Sequence, residues 1–492
     1  MKLLTKLKIN IPTLVAFFLF FFGISFRFYH FNHLSYWFDE LFSITTSSKN
    51  ILDFLNEMTR ETNPAFYQFV LYIWIKIFGN SPESGRFLSA LFGSITLPIT
   101  YFLAKKISDQ KIALNTLLFL VFSSGAIYYS QETRAYSLLI LLSSVTFFYW
   151  LEILKNSESN LSFWSFFIFS LLTEHTHYFG FIFIQTMWVY LFVSKCFLHK
   201  KVYFRILFYY FLVCLFFLPE IYKLIFIVPE LTNVNWIPKP NFEIYIHFFS
   251  YIYYFISYKK IPILVLFLLT LVLPIYPLYQ NRKKIKFNFS LNLFCDMRVA
   301  TLFLILSLLL STFLISQIKP MVTSRNLLVL LVPIYFIISV WLSNSEILKG
   351  VRSHLLVLVL TVLSFLSFAK YYYKDFMKEP WRDVSSYAIE KAGKNGYIFT
   401  YQFPAYIDYY LVDVFKNKPS IKVGLSKEDT LEFLKIAKSK KIENIVFIET
   451  NWDNSKEERY NKQKENLEIL KSYSKQVTIK SFIIMQVYHF EI

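Results

Sequence analysis

Long apolar runs constrain this chain more than any other feature. A helix needs about 20 apolar residues to cross a bilayer, with a range of about 17–25. We find about eleven such segments, at 11–29, 86–104, 112–128, 134–151, 161–175, 178–196, 205–226, 261–280, 299–317, 326–343 and 353–369. The pattern predicts an α-helical polytopic membrane protein and excludes a soluble enzyme, a disordered chain and a fibrous protein.

Charge is concentrated after the last apolar run. Of the 84 charged residues (51 basic and 33 acidic), 38 lie in the last 123 residues. We therefore predict a transmembrane domain over 1–369 and a small α/β domain over 370–492. Alternating patterns predict four helices and four strands in this tail, at 381–392, 396–401, 405–415, 420–424, 427–439, 444–449, 455–473 and 477–489. The tail has no phosphate-binding loop, so we expect a cap or a partner-binding module.

The segment 64–78 decides the topology, because every later loop would change sides if it crossed the membrane. It is short for a span, and Gln68 and Lys76 interrupt its apolar run. If it does not cross, most basic loop residues fall on the inner side, as they do in plasma membrane proteins. We therefore predict that 64–78 is a helix in the outer interface. The protein would be a multi-pass protein of the cell inner membrane, with an extracytoplasmic C-terminal domain. The net charge of +18 then sets orientation and indicates no nucleic-acid partner.

Three cysteines, Cys196, Cys214 and Cys295, lie in or beside apolar segments and are expected to be small apolar fillers. The sequence contains no Cys/His cluster that would indicate a thiolate metal site. The sequence leaves open whether a divalent metal ion takes part.

On the predicted topology, five polar groups face the outer side. The first is Asp39-Glu40, in the outer loop 30–85; adjacent helical residues point about 100° apart, so the two carboxylates would have separate roles. The other groups are the segments Glu61–Tyr67, Tyr128–Tyr136, Glu174–Tyr178 and Lys319–Asn326, and Arg86 lies similarly at the start of a span. Each alone also fits helix capping, ion pairing or snorkelling. Together they suit a reaction on a lipid phosphate.

These residues, in this order, resemble the GT-C glycosyltransferases of the family 39-like group, which includes protein O-mannosyltransferases and bacterial aminoarabinose transferases for lipid A. The similar pieces are Asp39-Glu40, NPAFY (63–67) where the family has HPPLYY, SGRFLSALFGSITLPITYFLAKK (84–106), YYSQETRAYSLL (128–139), THYFGFIF (176–183) and SRNLL (324–328). Asn63 and Ala65 depart from the family pattern. The resemblance covers about 11–345, most firmly 30–185.

The resemblance implies a polyprenyl-phosphate-linked sugar as donor and an acceptor glycan, lipid or protein on the outer face. Asp39 would be the general base of an inverting displacement, and Glu40 would orient the acceptor or help to hold a metal. The expected phosphate-binding residues are Arg134, Arg325, Lys319 and Arg86. The expected substrate-binding residues are Asn63, Tyr67, Tyr128, Gln131, Glu132, His177 and Tyr178.

Two other function classes stay open at this point. The chain could be a transporter, a flippase or a polysaccharide polymerase, although transporters place ionisable groups near the midplane and often show repeats. We find no internal repeat here, and Gly is sparse at 10 residues. A structural assembly partner is the third class, and it would not need acids and arginines on one face.

Overall fold

The computed structural model describes residues 11–156, 159–199, 203–227, 237–252, 296–344, 351–393, 396–400, 403–417, 420–423, 427–450 and 457–492. Its α-helices are α1 Ile11–Phe28, α2 Phe38–Ser48, α3 Ile51–Arg60, α4 Phe66–Phe78, α5 Pro82–Ile107, α6 Gln110–Val121, α7 Ser124–Ser130, α8 Tyr136–Lys155, α9 Asn160–Glu174, α10 Tyr178–His199, α11 Phe204–Tyr222, α12 Phe242–Ser250, α13 Met297–Ile318, α14 Leu331–Asn344, α15 Val351–Lys370, α16 Trp381–Ala392, α17 Pro404–Asp408, α18 Lys427–Ser439 and α19 Glu457–Tyr473. The strands are β1 Tyr397–Thr400, β2 Ser420–Val423, β3 Asn444–Thr450, β4 Gln476–Phe482 and β5 Met485–Glu491.

Shorter turns of other helix types extend several of these elements. A 3-10 helix, Ser324–Leu330, leads into α14, and π-helical turns cover Lys223–Ile227, Tyr371–Asp375 and Tyr409–Val414. The chain divides into two compact units. Unit 1 contains residues 1–30, 50–73 and 86–375, and unit 2 contains 31–49, 74–85 and 376–492. The predicted boundary at residue 370 stays a prediction, and the units show that residues 31–49 pack with the tail.

Unit 1 is a helical bundle. Within the part of the chain that the structure describes, seven helices are long and apolar enough to cross a membrane, or eight if the bent pair α6–α7 is one span. The helix α8 is almost wholly buried, whereas α1 exposes large apolar side chains such as Phe21, which is 66% exposed. Apolar side chains on outer helices of such a bundle indicate contact with lipid.

Most predicted spans coincide with helices. The predicted spans 161–175 and 178–196 are the helices α9 and α10, but they are not among the seven. The predicted span 261–280 and Cys295 lie outside the described residues. The predicted helix 64–78 is α4, a helix of 13 residues.

The predicted span 112–128 is bent, which the sequence analysis did not anticipate. It forms α6 and α7, which meet at an angle of 56°. The cause is local, because the Ser123 hydroxyl accepts a hydrogen bond from the backbone N–H of Ala126 at 3.1 Å and so starts a new helix. The bend moves Tyr128 and Ser130 off the axis of α6.

Unit 2 contains a mixed five-stranded sheet in the order β2-β1-β3-β5-β4. The strands β2, β1 and β3 are parallel, while β5 is antiparallel to both β3 and β4. Side chains from β1, β3 and β5 pack with α18 and α19 around Phe399, Phe447 and Phe490. This confirms the predicted small α/β domain.

The single strand predicted over 477–489 is wrong, because this segment is the hairpin β4–β5. The turn uses Ile484 at φ 56°, a left-handed conformation that a β-branched residue rarely adopts. No Gly, Asn or Pro marks the turn in the sequence, so the alternating pattern looks continuous.

Candidate active site

The acidic pair lies in unit 2, in the first turn of α2. Two carboxylates there favour the helix, since the N-terminal end of a helix has a positive dipole. The Asp39 side chain is half-buried, whereas Glu40 is fully buried. The Glu40 carboxylate lies 3.3 Å from Nζ of Lys378, which is also buried. The two acids therefore have different surroundings, as their adjacent positions predicted.

A polar pocket lies in unit 1, where the loop before α4 meets two interhelical turns. Four of its lining residues were expected to bind phosphate or substrate, and six were not. The lining residues are Glu61, Asn63, Pro64, Tyr67, Gln68, Arg134, Ala135, Tyr136, Thr176 and His177. They come from three segments that are far apart in the sequence.

The loop before α4 is held from two sides. The backbone N–H of Phe66 donates to the carbonyl of His175 at 3.0 Å. Lys223 donates to the carbonyl of Asn63 at 3.0 Å, and its Nζ lies 2.6 Å from the carboxylate of Glu220. Glu61 accepts from the backbone N–H of Asn63 at 3.3 Å. These contacts fix the loop that presents Asn63 and Tyr67 to the pocket.

His177 is a neutral histidine in a positive environment. Its Nδ1 accepts a hydrogen bond from the backbone N–H of Phe179 at 3.1 Å, so the neutral ring carries its proton on Nε2. Burial, followed by the positive charges of Arg134 and Arg325, lowers the pKa of His177 to about 3. Two guanidinium groups thus act on the same buried ring, and such a pocket suits an anion.

Arg325 lies next to the pocket, on the 3-10 helix before α14. Its guanidinium carbon is 5.8 Å from the ring centroid of Tyr136, which lines the pocket. The neighbouring Ser324 hydroxyl is 3.1 Å from the hydroxyl of Tyr251, and that hydroxyl is 2.9 Å from the hydroxyl of Tyr129. A chain of hydroxyl groups therefore anchors the segment that carries Arg325.

The remaining predicted phosphate-binding residues lie outside the pocket lining. Arg86 is buried near the start of α5, and Lys319 is exposed after α13. Neither residue lines the pocket that contains Arg134.

The remaining predicted substrate-binding residues also lie outside the lining. The side-chain amide of Gln131 donates to the carbonyls of Phe26 and Tyr29, each at 3.0 Å, and so helps to terminate α1. Glu132 is buried, and the ring of Tyr128 packs edge-on against that of Tyr129. Tyr178 donates to Glu220 at 3.4 Å.

Sequence analysis missed Lys223 and Tyr251, which position parts of the pocket. Both lie outside the five polar groups that the sequence analysis assigned to the outer face. The signal for Lys223 was present, because a lysine three residues after Glu220 at the end of an apolar run is costly unless it is paired. Among the described residues, no group of three or more His, Cys, Asp or Glu side chains could hold a metal ion.

The fold and part of the sequence match known proteins. The family described as dolichyl-phosphate-mannose-protein mannosyltransferase matches residues 62–222, which include Asn63, Arg134 and His177. A search of curated proteins gave no match.

Two solved structures are similar to the chain over 97% of both lengths. ArnT from Cupriavidus metallidurans in the apo state has a TM-score of 0.55 and 11% identity. ArnT from the same organism bound to undecaprenyl phosphate has a TM-score of 0.53 and 12% identity. The predicted fold class is thus confirmed, because the chain is a polytopic membrane protein with the GT-C fold of ArnT.

Proposed function

We propose that this GT-C protein is a membrane glycosyltransferase that takes its sugar from a polyprenyl-phosphate-linked donor. The observation that supports this most is the pocket of Asn63, Tyr67, Arg134 and His177, with Arg325 beside it. The fold adds support, since a protein of the same fold binds undecaprenyl phosphate.

In this proposal the pocket binds the donor phosphate. Arg134 and Arg325 stabilise the negative charge that develops on the phosphate oxygens as the sugar leaves. A guanidinium suits this role because its planar donors match phosphate oxygens and it stays charged. His177 stays neutral and donates from Nε2, so it adds a hydrogen bond without adding charge. We give Arg86 and Lys319 no direct contact, since neither lines the pocket.

We assign the general base to Asp39. An acceptor hydroxyl or amine attacks the anomeric carbon, and its proton passes to the Asp39 carboxylate. The bond between the anomeric carbon and the phosphate oxygen breaks, and its electron pair leaves with the polyprenyl phosphate. A single displacement of this kind inverts the anomeric configuration.

The acceptor side is proposed to be the outer face of the cell inner membrane. Support comes from basic residues at helix ends on the side predicted to be inner, namely Lys105 and Lys106 at the end of α5, Lys111 at the start of α6 and Arg205 at the start of α11. The acceptor would be a glycan, a lipid or a protein, and the C-terminal domain would lie on the same outer side.

The test uses the full-length protein in lipid nanodiscs with an envelope extract as the source of acceptors. Undecaprenyl phosphate carrying radiolabelled mannose or aminoarabinose serves as donor. We expect label in the acceptor fraction, an equal molar release of undecaprenyl phosphate, and an inverted anomeric linkage by NMR. Movement of intact donor across proteoliposomes without release of undecaprenyl phosphate would instead establish a flippase and overturn the proposal.

A further inference from the structure

We infer that the segment Phe376–Arg382, at the start of the C-terminal domain, is a positioning element for the acidic helix α2. Lys378 and Glu379 are its two positioning residues, and Glu40 is the anchor that they hold. The inference rests on the proposed function, because it assigns the reaction to Asp39 alone. All the residues concerned lie in unit 2.

The first contact is the ion pair between Glu40 and Lys378. The Glu40 side chain is 0% exposed, the Lys378 side chain is 4% exposed, and Oε2 and Nζ are 3.3 Å apart. Nζ of Lys378 also lies 5.7 Å from the ring centroid of Trp37. A carboxylate buried to this degree is costly unless a cation compensates it. Lys378 supplies such a cation, and the ion pair connects α2 to the segment Phe376–Arg382.

The second contact caps the same helix. The Glu379 carboxylate accepts from the backbone N–H of Phe38 at 2.9 Å and from the indole N–H of Trp381 at 2.7 Å. The N-cap residue Trp37 makes no side-chain cap of its own. Glu379 thus supplies from the C-terminal domain the anion that the start of a helix favours.

Further contacts hold the chain just before α2. The guanidinium of Arg382 donates to the carbonyls of Asn32 and His33, at 3.2 Å and 2.8 Å. The backbone N–H of Tyr36 donates to the hydroxyl of Tyr410 at 2.7 Å. The ring of Phe38 packs edge-on against that of Tyr406, with centroids 5.3 Å apart. The chain before α2 and the Phe38 and Glu40 side chains of its first turn therefore contact the C-terminal part of unit 2.

These contacts give Glu40 and Asp39 different roles. Glu40 points into unit 2 and is fully buried, whereas Asp39 is half-buried one residue earlier. Small displacements of a reacting group by about 1 Å can cost about 100-fold in rate. Loss of the anchor should therefore lower kcat through Asp39 and leave donor binding unchanged.

The experiment compares four variants of the full-length protein in the transfer assay. Lys378→Met removes the cation that pairs with the buried Glu40 carboxylate, and we expect kcat to fall about 100-fold with the donor KM unchanged. Lys378→Arg keeps the charge and should stay within about threefold of the parent protein. Lys378→Met combined with Glu40→Gln removes both charges and should recover at least about tenfold over Lys378→Met, because the carboxylate that Lys378 compensated is then neutral as well. Lys374→Met changes an exposed lysine four residues away and serves as the matched control.

A second pair of variants covers the case in which Lys378→Met does not fold. Glu379→Ala removes the cap, whereas Glu379→Gln keeps an oxygen that accepts from Phe38. We expect a loss of kcat of about fivefold for Glu379→Ala and a nearly normal value for Glu379→Gln, since a helix cap contributes about 1 kcal/mol, which equals a factor of about five.

The inference is overturned if Lys378→Met behaves like Lys374→Met, or if the double variant is no better than the single one. Equal activities of Glu379→Ala and Glu379→Gln would overturn the inferred role of Glu379 as the cap of α2. Asp39→Asn, measured alongside, separates the two proposals. If Asp39→Asn is inactive and Lys378→Met is normal, only the positioning role fails; if Asp39→Asn is active, the proposed base fails.

Discussion

The buried neutral His177 should make the protein sensitive to acid. Its pKa is lowered to about 3, and an unfolded histidine titrates near 6.5. A folded-state pKa below the unfolded value means that the unfolded chain binds more protons as the pH falls. The stability is therefore complete above pH 6.5 and decreases as the pH falls from there toward 3.

The size of this loss of stability follows from the difference between the folded and unfolded pKa values of His177. At pH 5 the unfolded histidine has passed its pKa by about 1.5 units while the folded one is still neutral, which costs about 2 kcal/mol. His177→Asn removes the titration but keeps an oxygen that can accept from the backbone N–H of Phe179. The loss of stability between pH 8 and pH 5 should thus be about 2 kcal/mol smaller in His177→Asn than in the parent protein.

The assay is thermal unfolding in nanodiscs at pH 8 and pH 5, with His247→Asn, which changes an exposed histidine of unit 1, as the histidine control. The pH-dependent difference in Tm should shrink in His177→Asn by a few degrees and should not change in the control. Saturating undecaprenyl phosphate should also reduce the difference, because an anion offsets the charges of Arg134 and Arg325 that depress the pKa. An identical pH dependence in His177→Asn and the parent protein would refute the reasoning.

Three further predictions concern the pocket, the bend and the tail. Arg134→Ala should weaken binding of undecaprenyl phosphate by about 10- to 100-fold, as expected for the loss of a hydrogen bond from a charged group. Lys319→Ala should change the affinity by no more than about twofold. Isothermal titration measures both affinities, and equal values would count against the role of Arg134. Gly125→Ala places a Cβ 2.6 Å from the Cβ of Tyr251 and should cost about 1–3 kcal/mol in thermal unfolding, whereas an unchanged Tm would contradict this packing. Ile484→Gly should stabilise the tail by about 1 kcal/mol in denaturant unfolding, because Gly adopts φ 56° without strain; a loss of stability would show that the turn is not strained.

The helices of unit 1 could be predicted from the sequence because apolar length alone specifies a membrane helix. The same rule could not locate the bend after α6, where the Ser123 hydroxyl caps the start of α7. It also could not reveal the hairpin β4–β5, since Ile484 occupies a conformation that its side chain disfavours. Local patterns fail where tertiary packing stabilises an unfavourable residue.

The candidate pocket was partly predictable. Asn63, Tyr67, Arg134 and His177 lie in polar segments that stood out beside apolar spans, and the resemblance to the GT-C family then assigned them to phosphate or substrate. Lys378 did not stand out, because it acts through a carboxylate 338 residues away in the sequence. For Lys223 the nearby Glu220 was visible in the sequence, but its second partner, the carbonyl of Asn63, is 160 residues away. One sequence shows which charges are unusual, but it does not show which of them meet.

Transfer and donor binding measured on the same preparation of Asp39→Asn test the central claim most directly. The variant removes only the basicity of the proposed base and keeps the shape of the side chain. We predict that sugar transfer from the labelled polyprenyl phosphate falls below detection while the affinity for undecaprenyl phosphate stays within about twofold of the parent protein. Transfer at a nearly normal rate by Asp39→Asn would contradict the account.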